Sequence, residues 1–565
     1  MISSDKRTVQ LIIDQCLAHG VTHFVLSPGS RNAPFAIALD AHPSVECVVI
    51  HDERSAAFFA LGMAQQLGKP VGIVCTSGSA PLNYYPAVAE AYYQCVPLVV
   101  ITADRPYEWI DQGDGQTIRQ KNVFEEHVRY SCHFQENVQS PDERWYVERE
   151  TAIAFAEGNG FWKGPIHFNI AFREPLYGTI REVERASPRI IHSEKSDFSP
   201  SSATVSELLK GLQLQKKLVI VGQMEPNPGF LKELSEFASD SSVAVLVENT
   251  SNAVDPAFIH CIDRTLNRIS DAEMENFAPD LIVTVGGAVV SKRIKSYLRK
   301  NKPQFHWKIG SAFPYMDTYQ SLTHTFDTDP SAFFKVLNGM THKRSVSNYG
   351  GKWRQLDHFS RMRIPDFFQE IPYSDMLVFQ TLFDVLPEKC QLHMGNSSVV
   401  RYCQLFDPIT SVKYWSNRGT SGIDGSTSTA AGASYIAKND LHVLITGDVS
   451  FFYDSNGLWN SYLKSNLRIV LINNGGGGIF RIITGPAQSP QLEQYFEAAH
   501  SHSAKGICES YKVNYESVVE LAELDEKMVQ LFQQAKTERP SLLEIFTDAQ
   551  SNAEVLERFF SFLRC

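Results

Sequence analysis

At 565 residues the chain exceeds what one hydrophobic core organises, so two to four domains are expected, and its 43% hydrophobic and 20% charged content is that of a globular protein. A formal charge of −11 argues against a broad basic surface for nucleic acid, while local basic pockets for acidic small molecules stay compatible with it. No run reaches 18 apolar residues, so no transmembrane helix is expected.

Ten cysteines stand singly, with no Cys-x-x-Cys pair and no zinc-ligand spacing, which suits a reducing, cytoplasmic setting. The start "MISSDKRTVQLII" lacks the basic and apolar regions of a signal peptide.

Residues 1–185 alternate short apolar runs ("HFVLSPGS", "CVVIHDE", "VGIVCTSG", "LVVITADRP") with helical patterns such as "RSAAFFALGMAQQLG". That alternation predicts an α/β domain with a parallel sheet. A Ser- and Pro-rich linker, 186–202, leads to a second α/β domain over 203–340, with "KLVIVGQM", "VAVLVEN", "DLIVTVGG" and "QFHWKIG" as strands. The stretch 341–369 opens with the polar, basic "THKRSVSNYGGKWR" and reads as linker and helical connection. A third α/β domain, 370–565, carries "LHMGNS", "VKYWSN", "LHVLITGD", "LRIVLINN" and "SLLEIFTD". The fold class is therefore α/β, with three doubly wound parallel-sheet domains.

In open parallel sheets ligands bind beyond the carboxyl ends of the strands. Asp448 follows one apolar run and Asn474 the next, 26 residues later, ahead of the glycine run 475–478. A carboxylate, an amide oxygen and a glycine-flanked carbonyl form a hard oxygen site that suits Mg²⁺ when the ligand adds phosphate oxygens. Taken singly, "GD" and "NN" also read as turn punctuation. Glu53 ends another strand before an alanine-rich helix, where an acid is also favoured by the helix dipole. Arg31, Arg105, Lys292, Arg293, Arg401 and Arg418 fall at strand or loop ends and suggest a pocket for more than one carboxylate.

The GD…NN spacing resembles the magnesium–diphosphate signature of thiamine-diphosphate-dependent enzymes. With "SPGSR", "HDERSAAFFALG", "TSGSA", "TADRP", "FREPL", "GNSSVVR" and "SNRGTSGIDGSTSTAAG", the order of motifs over about 15–480 resembles one family among them. That family of menaquinone biosynthesis makes 2-succinyl-5-enolpyruvyl-6-hydroxy-3-cyclohexene-1-carboxylate and CO₂ from 2-oxoglutarate and isochorismate. The resemblance implies pyrimidine-binding, central and diphosphate-binding domains. Asp448, Asn474 and the Gly476 carbonyl would hold Mg²⁺, or Mn²⁺ in its place. Thr76, Gly447, Val449, Ser450 and Ile479 would line thiamine diphosphate, and Ile423 would prop its bent form. Glu53 would engage the aminopyrimidine, in surroundings that raise its pKa, with Gln116 and Arg31 as further catalytic groups. Ser30, Arg31, Arg105, Gln116, Lys292, Arg293, Ser397, Arg401 and Arg418 would surround the substrates over a floor of Ile479 and Phe480. Within that set Ser397 and Arg401 fall to the succinyl carboxylate, and Arg31, Arg105 and Arg418 to isochorismate.

The family's active sites lie between subunits of a homodimer or homotetramer. Val449 stands where the signature usually has glycine, and Gly115 where the family commonly has asparagine. The shared cofactor motifs also fit other carboligases and 2-oxoacid decarboxylases, such as acetolactate synthases, and a non-catalytic cofactor-binding relative. The middle segment lacks a complete G-x-G-x-x-G, so no flavin is expected.

Overall fold

Three separate parallel sheets organise the chain, each built from strands joined through helices. The structure is a computed structural model and describes residues 2–181, 187–192, 194, 198–270, 272–340, 347–482, 485–533 and 538–564. Parts of the two linkers, namely 186, 193, 195–197 and 341–346, lie outside the described residues.

In the first sheet, β1 (His23–Leu26), β2 (Glu46–Val49), β3 (Val71–Cys75), β4 (Leu98–Asp104), β5 (Tyr130–Gln135) and β6 (Ile166–Ala171) run in the order β2-β1-β3-β4-β6-β5. Helix α1 (Glu53–Leu67) follows β2 and α2 (Ser79–Gln94) follows β3. The second sheet orders β7 (Lys217–Val221), β8 (Val243–Val247), β9 (Leu281–Val285), β10 (Phe305–Ile309) and β11 (His324–Phe326) as β8-β7-β9-β10-β11, with α3 (Lys292–Lys300) after β9. Helix α4 (Tyr349–Phe368) starts inside the stretch read as polar linker, and Tyr349 and Trp353 are buried with Ile262, Leu266 and Tyr297 of the middle region.

The third sheet comprises β12 (Gln391–Met394), β13 (Lys413–Trp415), β14 (His442–Gly447), β15 (Leu467–Asn473), β16 (Asn514–Val518) and β17 (Ser541–Phe546). Its order, β13-β12-β14-β15-β17-β16, repeats that of the first sheet. Around it stand α5 (Asp375–Val385), α6 (Ser398–Cys403), α7 (Ser426–Ile436) and α8 (Asp448–Tyr453). Every pairing in the three sheets is parallel, and β3, β4 and β15 are buried along their whole length. Strands covered on both faces need unbroken apolar runs, which is why their sequences do not alternate.

The first and third domains share a core through α1 and α7. Ala56, Ala57, Phe58, Ala60 and Ala64 cluster with Ala430, Ala431, Leu444 and Ile469. The two helices meet at backbone distance: a Cβ on Gly62 would run into the Thr429 carbonyl, and one on Gly432 into the Phe59 carbonyl. The contact is reciprocal, each glycine facing the residue three places before the other. Asp52 caps α1 by accepting the Ser55 N–H at 3.2 Å, and left-handed Gly68 (φ 62°) ends it.

Gly62→Ala, which forces these backbones apart, is expected to destabilise the protein by about 1–3 kcal/mol or more. Gly506→Ala, on an exposed helical turn where a Cβ meets nothing within 4 Å, should instead be neutral or stabilise by about 0.5–1 kcal/mol. Guanidinium unfolding midpoints of the two variants check this, and equal midpoints would refute the close contact.

Candidate active site

Strands β14 and β15 pair with Gly447 opposite Ile472, so Asp448 and Asn474 leave neighbouring strand ends on one rim. Asp448 is buried; Oδ1 accepts the Val449 N–H at 2.7 Å and Oδ2 the Gly476 N–H at 3.0 Å. Burial pushes its pKa up to about 6 in spite of these amides. Nε2 of His500 stands 3.4 Å from Oδ2, and burial and then His502 hold the His500 pKa below its ordinary value, against Glu544. Asn474 donates Nδ2 to Asp375 Oδ2 at 3.2 Å, and its Oδ1 is buried without a partner. Gly476 has φ 153°, and a Cβ there would lie 2.7 Å from the Glu497 carbonyl, so the close turn requires glycine.

A Cβ on Gly447 would meet nothing within 4 Å, which leaves open space beside these oxygens. Among the described residues no three His, Cys, Asp or Glu side chains gather as a metal cluster. A cation here therefore depends on one carboxylate, on neutral oxygens and on oxygens brought by a ligand. The unpartnered Asn474 Oδ1 and the buried Asp448 carboxylate fit Mg²⁺ with a diphosphate.

A loop between β13 and α7 carries Arg418 and Ile423. Asn396 uses its whole amide on that loop, donating to the carbonyls of Asn417 and Gly422 at 2.7 Å each and accepting from Arg418 Nη1 at 2.8 Å. Glu90 of α2, fully buried, accepts the N–H groups of Gly419 at 2.7 Å and Thr420 at 2.6 Å. Ser450 of α8 donates to the Ile423 carbonyl at 2.6 Å and thus ties this loop to the Asp448 rim. The Ile423 side chain is 36% exposed on this loop.

Arg401 donates to the Ser397 carbonyl, and Ser397 adopts φ 69° at the start of α6. Burial lowers the pKa of Arg401, while Asp263 and Glu248 act to raise it. Arg418 is depressed by burial and then by Arg401, against Glu248 and Glu90. Lys295 is lowered by burial, with Glu248 opposing and Arg418 and Arg401 adding repulsion. Three cations thus share one region with three acids, Glu248, Asp263 and Glu90. Glu248, which accepts Val290 N–H at 2.7 Å and Ser291 N–H at 2.8 Å, is pushed by burial up to about 7. Lys292 is exposed on the first turn of α3, and Arg293 lies over Phe560 at 4.0 Å and donates to Asn267 at 2.9 Å.

The other sequence candidates sit at the strand ends of the first sheet. Arg31 is buried, donating Nη1 to the Phe172 carbonyl at 3.0 Å and pairing Nη2 with Glu174 at 3.2 Å, while Ser30 beside it is exposed. Thr76 keeps a buried Oγ1 without a partner. A Cβ on Gly78 would lie 3.1 Å from the Cα of Gln116, so the Gln116 turn (φ 53°) closes over the end of β3. Arg105 donates to the Gly115 carbonyl at 2.9 Å and approaches Asp114 at 3.6 Å.

Glu53 starts α1, half-buried, and burial raises its pKa, opposed by a backbone hydrogen bond and reinforced by Asp52. Its neighbours fasten it to the third domain: Asp52 accepts from Asn456 at 2.8 Å and Arg54 donates to the Tyr453 carbonyl at 2.6 Å. Within one chain Glu53 therefore stands by the C-terminal end of α8, and Asp448 by its N-terminal end. Ile479 is buried, and Phe480 packs on Phe496 with centroids 6.0 Å apart.

Several supporting residues were not singled out from the sequence: Asp375, Asn396, Glu90, Glu248, Asp263, Lys295 and His500. Asn396 and Lys295 were within reach, being next to Ser397 and one turn beyond Lys292.

Family models match in chain order: "Thiamine pyrophosphate enzyme, N-terminal TPP binding domain" over 6–125, "Middle domain of thiamine pyrophosphate" over 191–394, and "Thiamine pyrophosphate enzyme, C-terminal TPP binding domain" over 394–545. Curated relatives are similar along almost the whole chain. A 2-succinyl-5-enolpyruvyl-6-hydroxy-3-cyclohexene-1-carboxylate synthase of Flavobacterium johnsoniae is 42% identical, with 99% of each chain covered. Synthases of the same name from Flavobacterium psychrophilum and Christiangramia forsetii are 43% and 44% identical, each with 98% of both chains covered. The chain belongs to the 2-succinyl-5-enolpyruvyl-6-hydroxy-3-cyclohexene-1-carboxylate synthase family of thiamine-diphosphate-dependent enzymes.

Proposed function

We propose that the protein decarboxylates 2-oxoglutarate and adds the four-carbon succinyl unit to isochorismate in a 1,4 fashion, giving 2-succinyl-5-enolpyruvyl-6-hydroxy-3-cyclohexene-1-carboxylate and CO₂. The observation that carries this reading is the chain-long similarity to synthases of that product. The cluster of Arg401, Arg418 and Lys295, tied through Ser450 to the Asp448 rim, supports a pocket for carboxylate-rich substrates.

Thiamine diphosphate, when bound, supplies a nucleophilic thiazolium carbon and an electron sink. Asp448 Oδ, Asn474 Oδ1 and the Gly476 carbonyl hold Mg²⁺ against the diphosphate. Gly447, Val449 and Ser450 line that half from the third domain, and Thr76 lines the other from the first. Ile423 supports the cofactor's apolar face. Glu53, its pKa raised by burial, engages the aminopyrimidine ring. Arg401 and Ser397 orient the succinyl carboxylate. Arg31, Arg105 and Arg418 hold isochorismate, with Ser30, Gln116, Lys292 and Arg293 around it, and Ile479 and Phe480 keep water from the reacting carbon.

The site draws its two halves from two chains. Glu53 and Asp448 of one chain flank opposite ends of α8, about 9 Å of helix; the pairing of each with its counterpart on another copy rests on the family resemblance. A two-fold dimer then holds two equivalent sites.

Incubation with isochorismate, 2-oxoglutarate, thiamine diphosphate and Mg²⁺ should yield the succinylated product by mass analysis; acetolactate from pyruvate instead would overturn the proposal. Arg401→Ala should raise the KM for 2-oxoglutarate far more than that for isochorismate, by roughly 10- to 150-fold for a lost charge-assisted pair. If both KM values stay near wild type, Arg401 is not the donor anchor. Mixed Glu53→Gln and Asp448→Ala chains should regain activity after subunit exchange, since one site per mixed dimer escapes both lesions. No recovery despite exchange confirmed by native mass would place the whole site within one chain.

A further inference from the structure

Asp375 opens α5, remote in sequence from Asp448 and Asn474, and is fully enclosed. Its carboxylate accepts hydrogen bonds from Thr547 Oγ1 at Oδ1 (2.6 Å) and from Asn474 Nδ2 at Oδ2 (3.2 Å), with the Asp448 carboxylate acting on it from the rim beyond. Its own N–H is taken by Asn552 Oδ1 at 2.7 Å, and Asn552 Nδ2 reaches Thr547 Oγ1 at 3.1 Å. Asp375, Thr547 and Asn552 thus form a closed set anchored on α5 and on the segment after β17.

An amide side chain has two nearly identical ends, and nothing intrinsic to asparagine decides which one faces a ligand. Here the neighbours decide. A carboxylate only accepts, so the end of Asn474 toward Asp375 must be the NH₂. Oδ1 is then forced to the opposite side, where it is buried and unpartnered next to the Asp448 rim. Gly478 leaves the amide its room: a Cβ there would come 3.0 Å from Nδ2 and 3.4 Å from Oδ1. A reversed amide would set two oxygens against each other at Asp375 and point NH₂ at the cation.

We propose that Asp375 is the positioning residue of the metal centre, fixing Asn474 so that its oxygen, not its nitrogen, faces Mg²⁺. The inference rests on the reading of Asn474 as a cation ligand. Asp375 touches neither metal nor substrate and acts through that one side chain.

The isosteric Asp375→Asn tests it, because its new amide donates to Asn474 Oδ1 or accepts from Nδ2 and so removes the discrimination. Mg²⁺ is titrated by calorimetry at pH 8 into protein with excess thiamine diphosphate, without a turnover assay. Loss of such an orienting partner should weaken Mg²⁺ about 10- to 100-fold, with apo-protein melting unchanged. On an Asn474→Ala background the same substitution should change Mg²⁺ affinity by less than about twofold, the mark of action through Asn474. If Asn474→Ala itself binds Mg²⁺ like wild type, the ligand assignment fails. If Asn474→Ala weakens binding while Asp375→Asn does not, or if the two losses simply add, the positioning role is overturned. Should Asp375→Asn fail to fold, Thr547→Val frees one carboxylate oxygen and should still weaken Mg²⁺ about threefold; unchanged affinity there would equally overturn the role.

Discussion

A carboxylate buried at the end of a central strand is the constraint around which the third domain is arranged. Taking Asp448 out of water costs several kcal/mol unless donors or a cation compensate. Backbone N–H groups of Val449 and Gly476 make up part of that cost, and a backbone able to bring the Gly476 N–H there needs φ 153° beneath the Glu497 carbonyl. The glycine run is thus a geometric requirement of the acid. The remaining deficit, beside an unpartnered amide oxygen, is what a hard cation removes.

The arginine region follows the same logic with opposite sign. Arg401, Arg418 and Lys295 repel one another where burial already disfavours their charge, and Glu248, Asp263 and Glu90 oppose that repulsion. Cations held out of water and close to one another are relieved by an anion, and guanidinium pairs with a carboxylate in bidentate fashion. The loop that presents Arg418 is held by Asn396, whose whole amide is spent on it, and by Glu90, which also accepts from Gln94, so the position of that loop is fixed by buried hydrogen bonds.

The buried strands and the rims they end in were legible because a strand covered on both faces must be a continuous apolar run, and β3, β4, β14 and β15 are such runs. Strands β5 and β16 escaped notice for the complementary reason. Both lie at the same edge of their sheets, half-exposed, and "YSCHFQ" and "NYESV" mix polar and apolar residues. Asp448, Asn474 and Glu53 were visible as acids or amides at strand ends. Asp375 and Glu248 were not, because a lone acid on a first helical turn or after a strand reads as surface until folding encloses it. Within the basic stretch, Tyr349 and Trp353 gave no periodic signal although they anchor α4, since two aromatics one turn apart make no stripe.

The reciprocal contact of α1 and α7 is what an isologous interface looks like, yet its two sides are covalently joined. Two separate half-molecules meeting this way would assemble only above a threshold concentration, and identical halves would have to carry the same groups. Tethering removes both restrictions. The pairing becomes intramolecular, independent of dilution, and each side is free to specialise: one rim keeps the acid Glu53, the other the oxygen cage around Asp448. The specialisation leaves each half lacking what the other has, so the two rims are complementary where two identical halves would be equivalent.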